Sequence, residues 1–96
     1  MSAYMIIRIE ANDPALLKDY QLATPPIIEK YHGRFLARGG SLVTLEGPTE
    51  TRRIVIIEFP ELADAQAFYH SPEYVHARKL REDIALAEFI AVEGVK

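Results

Sequence analysis

Residues 54–59 read Ile-Val-Ile-Ile-Glu-Phe and stop at Pro60. Successive side chains of a strand point to opposite faces of its sheet, so this stretch is apolar on both sides. Val55, Ile57 and Phe59 fall on one face, with Ile54, Ile56 and Glu58 on the other. Residues 3–10 repeat the pattern, with Met5, Ile7 and Ile9 opposing Tyr4, Ile6 and Arg8. Two strands of this kind belong in the middle of a sheet, and both faces of that sheet need a cover. No other feature restricts the fold as much.

The segments around these strands supply one cover. Asp13 followed by Pro14 is an N-cap with proline at the first helical position. Leu16, Tyr20, Ala23, Ile27 and Tyr31 then share one helical face. Pro25-Pro26 removes two backbone donors, which predicts a break, with Thr24 capping a second segment and Gly33 as the C′ residue. Residues 34–46 read as a strand with a bulge at Gly39-Gly40, and residues 47–50 as a turn. The third strand covers 52–59. Helices follow over 61–70 and 72–83, the second capped by Ser71 before Pro72, and a last strand runs over 86–93.

The order β-α-β-β-α-β predicts a four-stranded antiparallel sheet with its first and third strands central and its helices on one face, the ferredoxin-like α+β arrangement. With no linker, repeat or low-complexity tract, residues 1–96 read as one domain. The helices cover one face only. Tyr4, Ile6, Ile54 and Ile56 on the other are too large an apolar patch for a monomer to expose, so a homodimer paired sheet to sheet is expected. Arg8 and Glu58 share that face, on strands expected to be adjacent and parallel, where each could neutralise the other.

Composition removes several classes of function. Hydrophobic residues make up 49% and charged ones 26%, the balance of a globular chain. The net charge of -3 and the scattered Lys and Arg argue against nucleic acid. The absence of Cys excludes thiol catalysis and thiolate metal sites. His32, His70 and His76 show no i, i+4 pair, so no metal and no cofactor is expected. Met5-Ile6-Ile7 before Arg8 is too short for a secretory core or a membrane span, and a cytoplasmic location with no membrane partner is expected.

The order and spacing of Asp13-Pro14, Tyr20, Tyr31-His32-Gly33, Arg38-Gly39-Gly40, Leu45-Glu46-Gly47, Glu58-Phe59-Pro60, Ser71-Pro72-Glu73-Tyr74 and Leu80-Arg81 resemble the family catalogued as domain of unknown function 1330. That family lies in the dimeric α+β barrel superfamily, and the resemblance runs from Tyr4 to Val95. His32 stands where the family more often shows Gly, and Phe68 where it often shows Trp. The resemblance implies a dimeric barrel of two ferredoxin-like subunits but supplies no reaction. Relatives in the superfamily include cofactor-independent monooxygenases, lactone isomerases, haem-handling enzymes and ligand-sensing domains.

Chemistry is sought among the ionisable and aromatic residues. Glu58, in an apolar strand, is the candidate general base. Arg38 and Arg81 could hold the carboxylate or enolate of a small acid, and Tyr74 could orient it or stabilise an oxyanion. Tyr20, Phe68 and Tyr69 are candidate ligand contacts. The leading expectation is an uncharacterised small-molecule-binding protein acting as a cofactor-independent, monooxygenase- or isomerase-like enzyme on a small organic acid. The rival is a non-catalytic ligand-binding or interaction module with the same pocket. On the rival reading, Glu58 and the arginines form a structural network, with Glu58 paired to Arg8 or another Arg.

Overall fold

The structure, a computed structural model, describes residues 2–95. Strand β1 (Ala3–Ala11) leads through a 3₁₀ turn (Pro14–Leu17) into α1 (Lys18–Lys30). Then come β2 (Arg34–Arg38), β3 (Arg53–Phe59), α2 (Leu62–Tyr69), α3 (Pro72–Arg78) and β4 (Ala85–Glu93). The sheet runs β2-β3-β1-β4 and is antiparallel throughout, the ferredoxin-like order. β1 and β3 are central because they carry apolar side chains on both faces.

Met5, Ile7, Ile9, Val55, Ile57 and Phe59 are buried on the inner face, against Leu17, Tyr20 and Ile28 from one side of the helical layer and Phe68 and Tyr74 from the other. Among the described residues no helix covers the outer face. The molecule is only 16 Å thick along its shortest axis, the depth of one sheet and one helical layer. Ile6, Ile54 and Ile56 are accordingly half-buried, and Ile90 and Val92 on β4 are 55% and 51% exposed.

Local signals hold at several helix ends. Asp13 Oδ1 accepts from the Ala15 amide at 3.1 Å. Ser71 does two things at once: its Oγ accepts from the Tyr74 amide at 3.0 Å and donates to the Phe68 carbonyl at 2.7 Å. The end of α2 and the start of α3 are thereby fixed by one buried side chain.

Four expectations are corrected. First, α1 is continuous through Pro25 and Pro26, and Thr24 caps nothing; it is a buried residue of the inner helix face. A proline lacks the amide that would bond the carbonyl four residues back, so Pro25 frees the Gln21 carbonyl. The Arg38 guanidinium occupies that place, donating from Nη2 to Gln21 O at 2.6 Å. A side chain from another element thus replaces the missing backbone bond.

Second, the left-handed C′ residue is His32, at φ 69°, and not Gly33. The His32 amide bonds Glu29 O at 3.0 Å and the Gly33 amide bonds Ile28 O at 2.9 Å, the Schellman pattern. Gly33 is required for closeness instead: a Cβ there would stand 2.7 Å from Phe59 Cε1. Third, β2 ends at Arg38 and its bulge lies at Leu36, not at Gly39-Gly40. Residues 40–52 form no regular element.

Fourth, Arg8 and Glu58 do not meet. β1 and β3 are antiparallel, with Arg8 opposite Ile54 and Tyr4 opposite Glu58, so the two charges stand at opposite ends of the pairing. Arg8 Nε instead donates to Glu50 at 3.2 Å, and the Arg34 Nε donates to Glu58 at 2.6 Å.

Candidate functional site

Beneath α1, between that helix and the inner sheet face, lies a cavity of about 30 Å³. That is room for roughly two water molecules. Ile7, Ile9, Val55 and Ile57 form its floor, and Leu17, Tyr20, Thr24 and Ile28 its roof. Phe35, Arg38 and Arg53 complete the wall toward β2, with Phe68 and Phe89 at the other end.

The bulge at Leu36 decides what stands at the β2 side. In a regular strand Phe35 and Ala37 would share the inner face, and Arg38 would point outward. The extra residue shifts the parity, so that Phe35 pairs with Ile57 and Arg38 with Val55, both inner positions of β3. Arg38 therefore lies over the Phe35 ring, 4.4 Å from its centroid. Arg53 reaches the same wall from the first position of β3. Its guanidinium passes over Gly39, where a Cβ would stand 2.1 Å from Nη1, so any other residue at 39 would displace it. Neither Arg38 nor Arg53 has a carboxylate partner among the described residues.

At the other side of Tyr20 is a buried polar cluster. Tyr20 Oη and Tyr74 Oη are 2.7 Å apart, and Arg81 Nη2 donates to Tyr74 Oη at 3.1 Å. Arg81 is only 6% exposed and its Nε has no partner among the described residues. Its cation rests between the Tyr20 and Phe89 rings, 5.6 Å and 5.2 Å from their centroids. Burial first, and Tyr20 second, push the Tyr74 hydroxyl far above the ordinary tyrosine range, so it stays protonated.

The structure therefore brings together some of the candidates and separates others. Tyr20 and Phe68 line the cavity, Arg38 stands at its β2 wall, and Tyr74 and Arg81 sit directly behind Tyr20. Tyr69 lies apart, in a surface depression between α2 and β4, with Ala65, His70 and Ile90. Glu58 is on the outer sheet face, away from the cavity. Its hydrogen bond from Arg34, and next one from Ser2, hold its carboxyl below the usual range, so it rests as a paired carboxylate and not as a poised base. Arg53, Gln21, Thr24 and Phe35 were not legible as site residues. For Arg53 the one available signal was Gly39, read as a bulge when it marks the close approach of a guanidinium.

Other charges tie elements together. Glu73, at the start of α3, accepts from Tyr31 at 2.9 Å and pairs with Lys30. The Lys30 contact, with smaller help from Tyr31, brings its carboxyl down to about 2. Among the described residues no three His, Asp or Glu side chains converge as metal ligands, and no helix is long and apolar enough to cross a membrane.

A two-layer α+β subunit with a small apolar cavity between its layers, and one bare sheet face, is the class that fold and site define. Within it, the chain belongs to the family described as domain of unknown function (DUF1330), whose model matches residues 2–95. Among solved structures it is similar to a protein of unknown function from Rhodopseudomonas palustris, at 22% identity and TM-score 0.74, covering 99% of this chain and 83% of that one. It is also similar to a dimeric ferredoxin-like protein of unknown function from Bacteroides fragilis, at 19% identity and TM-score 0.65, covering 97% and 96%. A third is SnoaB, a cofactor-independent oxygenase from Streptomyces nogalater, at 11% identity and TM-score 0.67, covering 99% and 94%. Identities this low establish a shared fold and no more. No curated protein matches the sequence.

Proposed function

We propose that this protein binds a small organic anion with an apolar body in the cavity beneath α1. The observation that carries the reading is a pair of guanidinium groups, Arg38 and Arg53, at one wall of an apolar cavity, neither matched by a carboxylate among the described residues. A guanidinium near low-dielectric walls gains most from an incoming carboxylate or enolate, which it can hold in bidentate fashion. The space is small as it stands, so a ligand enters by displacing a side chain at that wall. Phe35 is only half-buried, so its ring can swing outward while Arg38 and Arg53 stay at the wall to meet the anion.

Turnover of the bound anion without a cofactor is the second reading, favoured by the fold shared with the Streptomyces oxygenase. Among the described residues the cavity lining contains no His and no carboxylate, and of its two hydroxyl side chains, Tyr20 and Thr24, the phenol is the more acidic. Binding is therefore the role supported best, and any proton transfer falls to Tyr20 or to the substrate itself. The working unit is a homodimer paired through the outer sheet face. Half-exposed isoleucines support this, as do similar structures described as dimeric.

The test is a ¹H–¹⁵N NMR titration of the intact protein with benzoate and with benzamide, its uncharged counterpart. Benzoate is expected to shift the amides of Gln21, Thr24, Phe35 and Arg38 saturably. Benzamide should bind about tenfold or more weakly, and Arg53→Gln should shrink that difference. Equal binding of the two, or shifts confined to the outer face, would overturn the reading.

A further inference from the structure

The cluster of Tyr20, Tyr74 and Arg81 contains more donors than acceptors, and the imbalance has a direction. Arg81 can only donate, so at 3.1 Å the Tyr74 oxygen is its acceptor. One proton then bridges the two tyrosine oxygens, 2.7 Å apart. If Tyr20 supplied it, the Tyr74 proton would be left in a side chain with no exposure and no other acceptor among the described residues. An unmet buried donor is costly. If Tyr74 supplies the bridging proton, it is satisfied on both counts, and the unmet proton moves to Tyr20, which is 6% exposed but, unlike Tyr74, lines the cavity where an acceptor can enter. The strongly protonated state of Tyr74 agrees with its being the donor.

We infer that Tyr20 offers its hydroxyl proton to the cavity, with Arg81 as a positioning residue acting through Tyr74, so that the ligand carries an acceptor oxygen at the end remote from its anionic group. A carbonyl, enolate or phenolate oxygen has this chemistry. The buried Arg81 cation, with no carboxylate partner among the described residues, adds a positive field that favours the more negative of these acceptors. This rests on the anion-binding reading above and narrows its ligand class to a two-ended one. The acid end lies at Arg38 and Arg53, and the oxygen end lies at Tyr20.

The experiment compares two probes of nearly equal shape on the intact protein, 4-acetylbenzoate and 4-isopropylbenzoate, by NMR titration. Only the first has a carbonyl oxygen at the far end. It is expected to bind about tenfold more tightly, the worth of one buried hydrogen bond. Tyr20→Phe should remove that preference, bringing the ratio of the two affinities close to one. Tyr74→Phe, which takes away the bond that orients Tyr20, should reduce it to a few-fold. A purely structural role for the cluster would lower stability without changing the ratio of the two affinities. Equal binding of both probes by the unaltered protein, or a preference that survives Tyr20→Phe, would overturn the inference and leave the anion site standing. Failure of both probes to reach the cavity would overturn both.

Discussion

Replacing Arg38 with Met removes the guanidinium that completes α1 at its prolines, and the structure gives the size of the effect. The bond from Arg38 Nη2 to Gln21 O is 2.6 Å long, and its donor carries a full charge. Such bonds are worth about 1.5–3 kcal/mol when water is excluded. Arg38 is exposed, so water takes over part of the role, and about 1 kcal/mol is the expected share. Loss of the stacking on Phe35, 4.4 Å from the ring centroid, accounts for the remainder of the mutant's cost. That contact adds about 0.5 kcal/mol at an exposed site. Pro25→Ala restores the amide that Gln21 lacks, which makes the Arg38 bond redundant. Arg38→Met should therefore cost about 1.5 kcal/mol in the natural background and about 0.5 in Pro25→Ala, a coupling of about 1 kcal/mol. Urea denaturation of the four proteins followed by circular dichroism reads these values, at one fixed protein concentration because a dimer's stability depends on it. Costs that add to within about 0.3 kcal/mol would refute the idea that Arg38 substitutes for the missing amide.

Ile56→Asp places a charge in the proposed dimer face and should give monomers or aggregates by size-exclusion with light scattering, whereas a monomeric unaltered protein at micromolar concentration would dismiss that interface. Glu73 and Glu50 have folded pKa values of about 2 against an ordinary 4.5, the first through Lys30 and the second through Arg52. Because these values are depressed, their stabilisation is present above about pH 4.5 and is lost as pH falls toward 2. The melting temperature should drop across that window, less steeply for Glu73→Gln. Ser71→Ala removes a cap and a buried bond to Phe68, and should lower stability by about 1–2 kcal/mol in chemical denaturation. Glu58 should titrate below the ordinary carboxylate range in a carboxyl-carbon NMR experiment, and Glu58→Gln should leave the anion probes' affinities unchanged; a raised pKa would restore it as a candidate base.

Much of the fold was legible because it is written locally. Alternation in residues 3–10 and 54–59 assigns two central strands and their inner face, since the side-chain period of a strand does not depend on what it packs against. Asp13-Pro14 and Ser71-Pro72 place helix starts within a single turn of backbone, and the bare outer face follows from counting helices against faces. What tertiary structure decided are the points where a distant residue answers a local deficit. The prolines of α1 forbid two backbone bonds, and Arg38, seventeen residues downstream of Gln21, supplies a donor to one of the two carbonyls they free. Arg38 reaches that place only because one extra residue at Leu36 reverses the parity of β2. Glu58 found Arg34 across β2 and β3 instead of Arg8 because antiparallel pairing puts Arg8 at the far end of the ladder. Arg81 and Tyr74 converge on Tyr20, 54 positions from Tyr74, only once α3 packs beside α1. Propensities and periods act over one turn or one strand and survive in sequence, whereas the partners of a buried charge or an orphaned carbonyl are set by three-dimensional register.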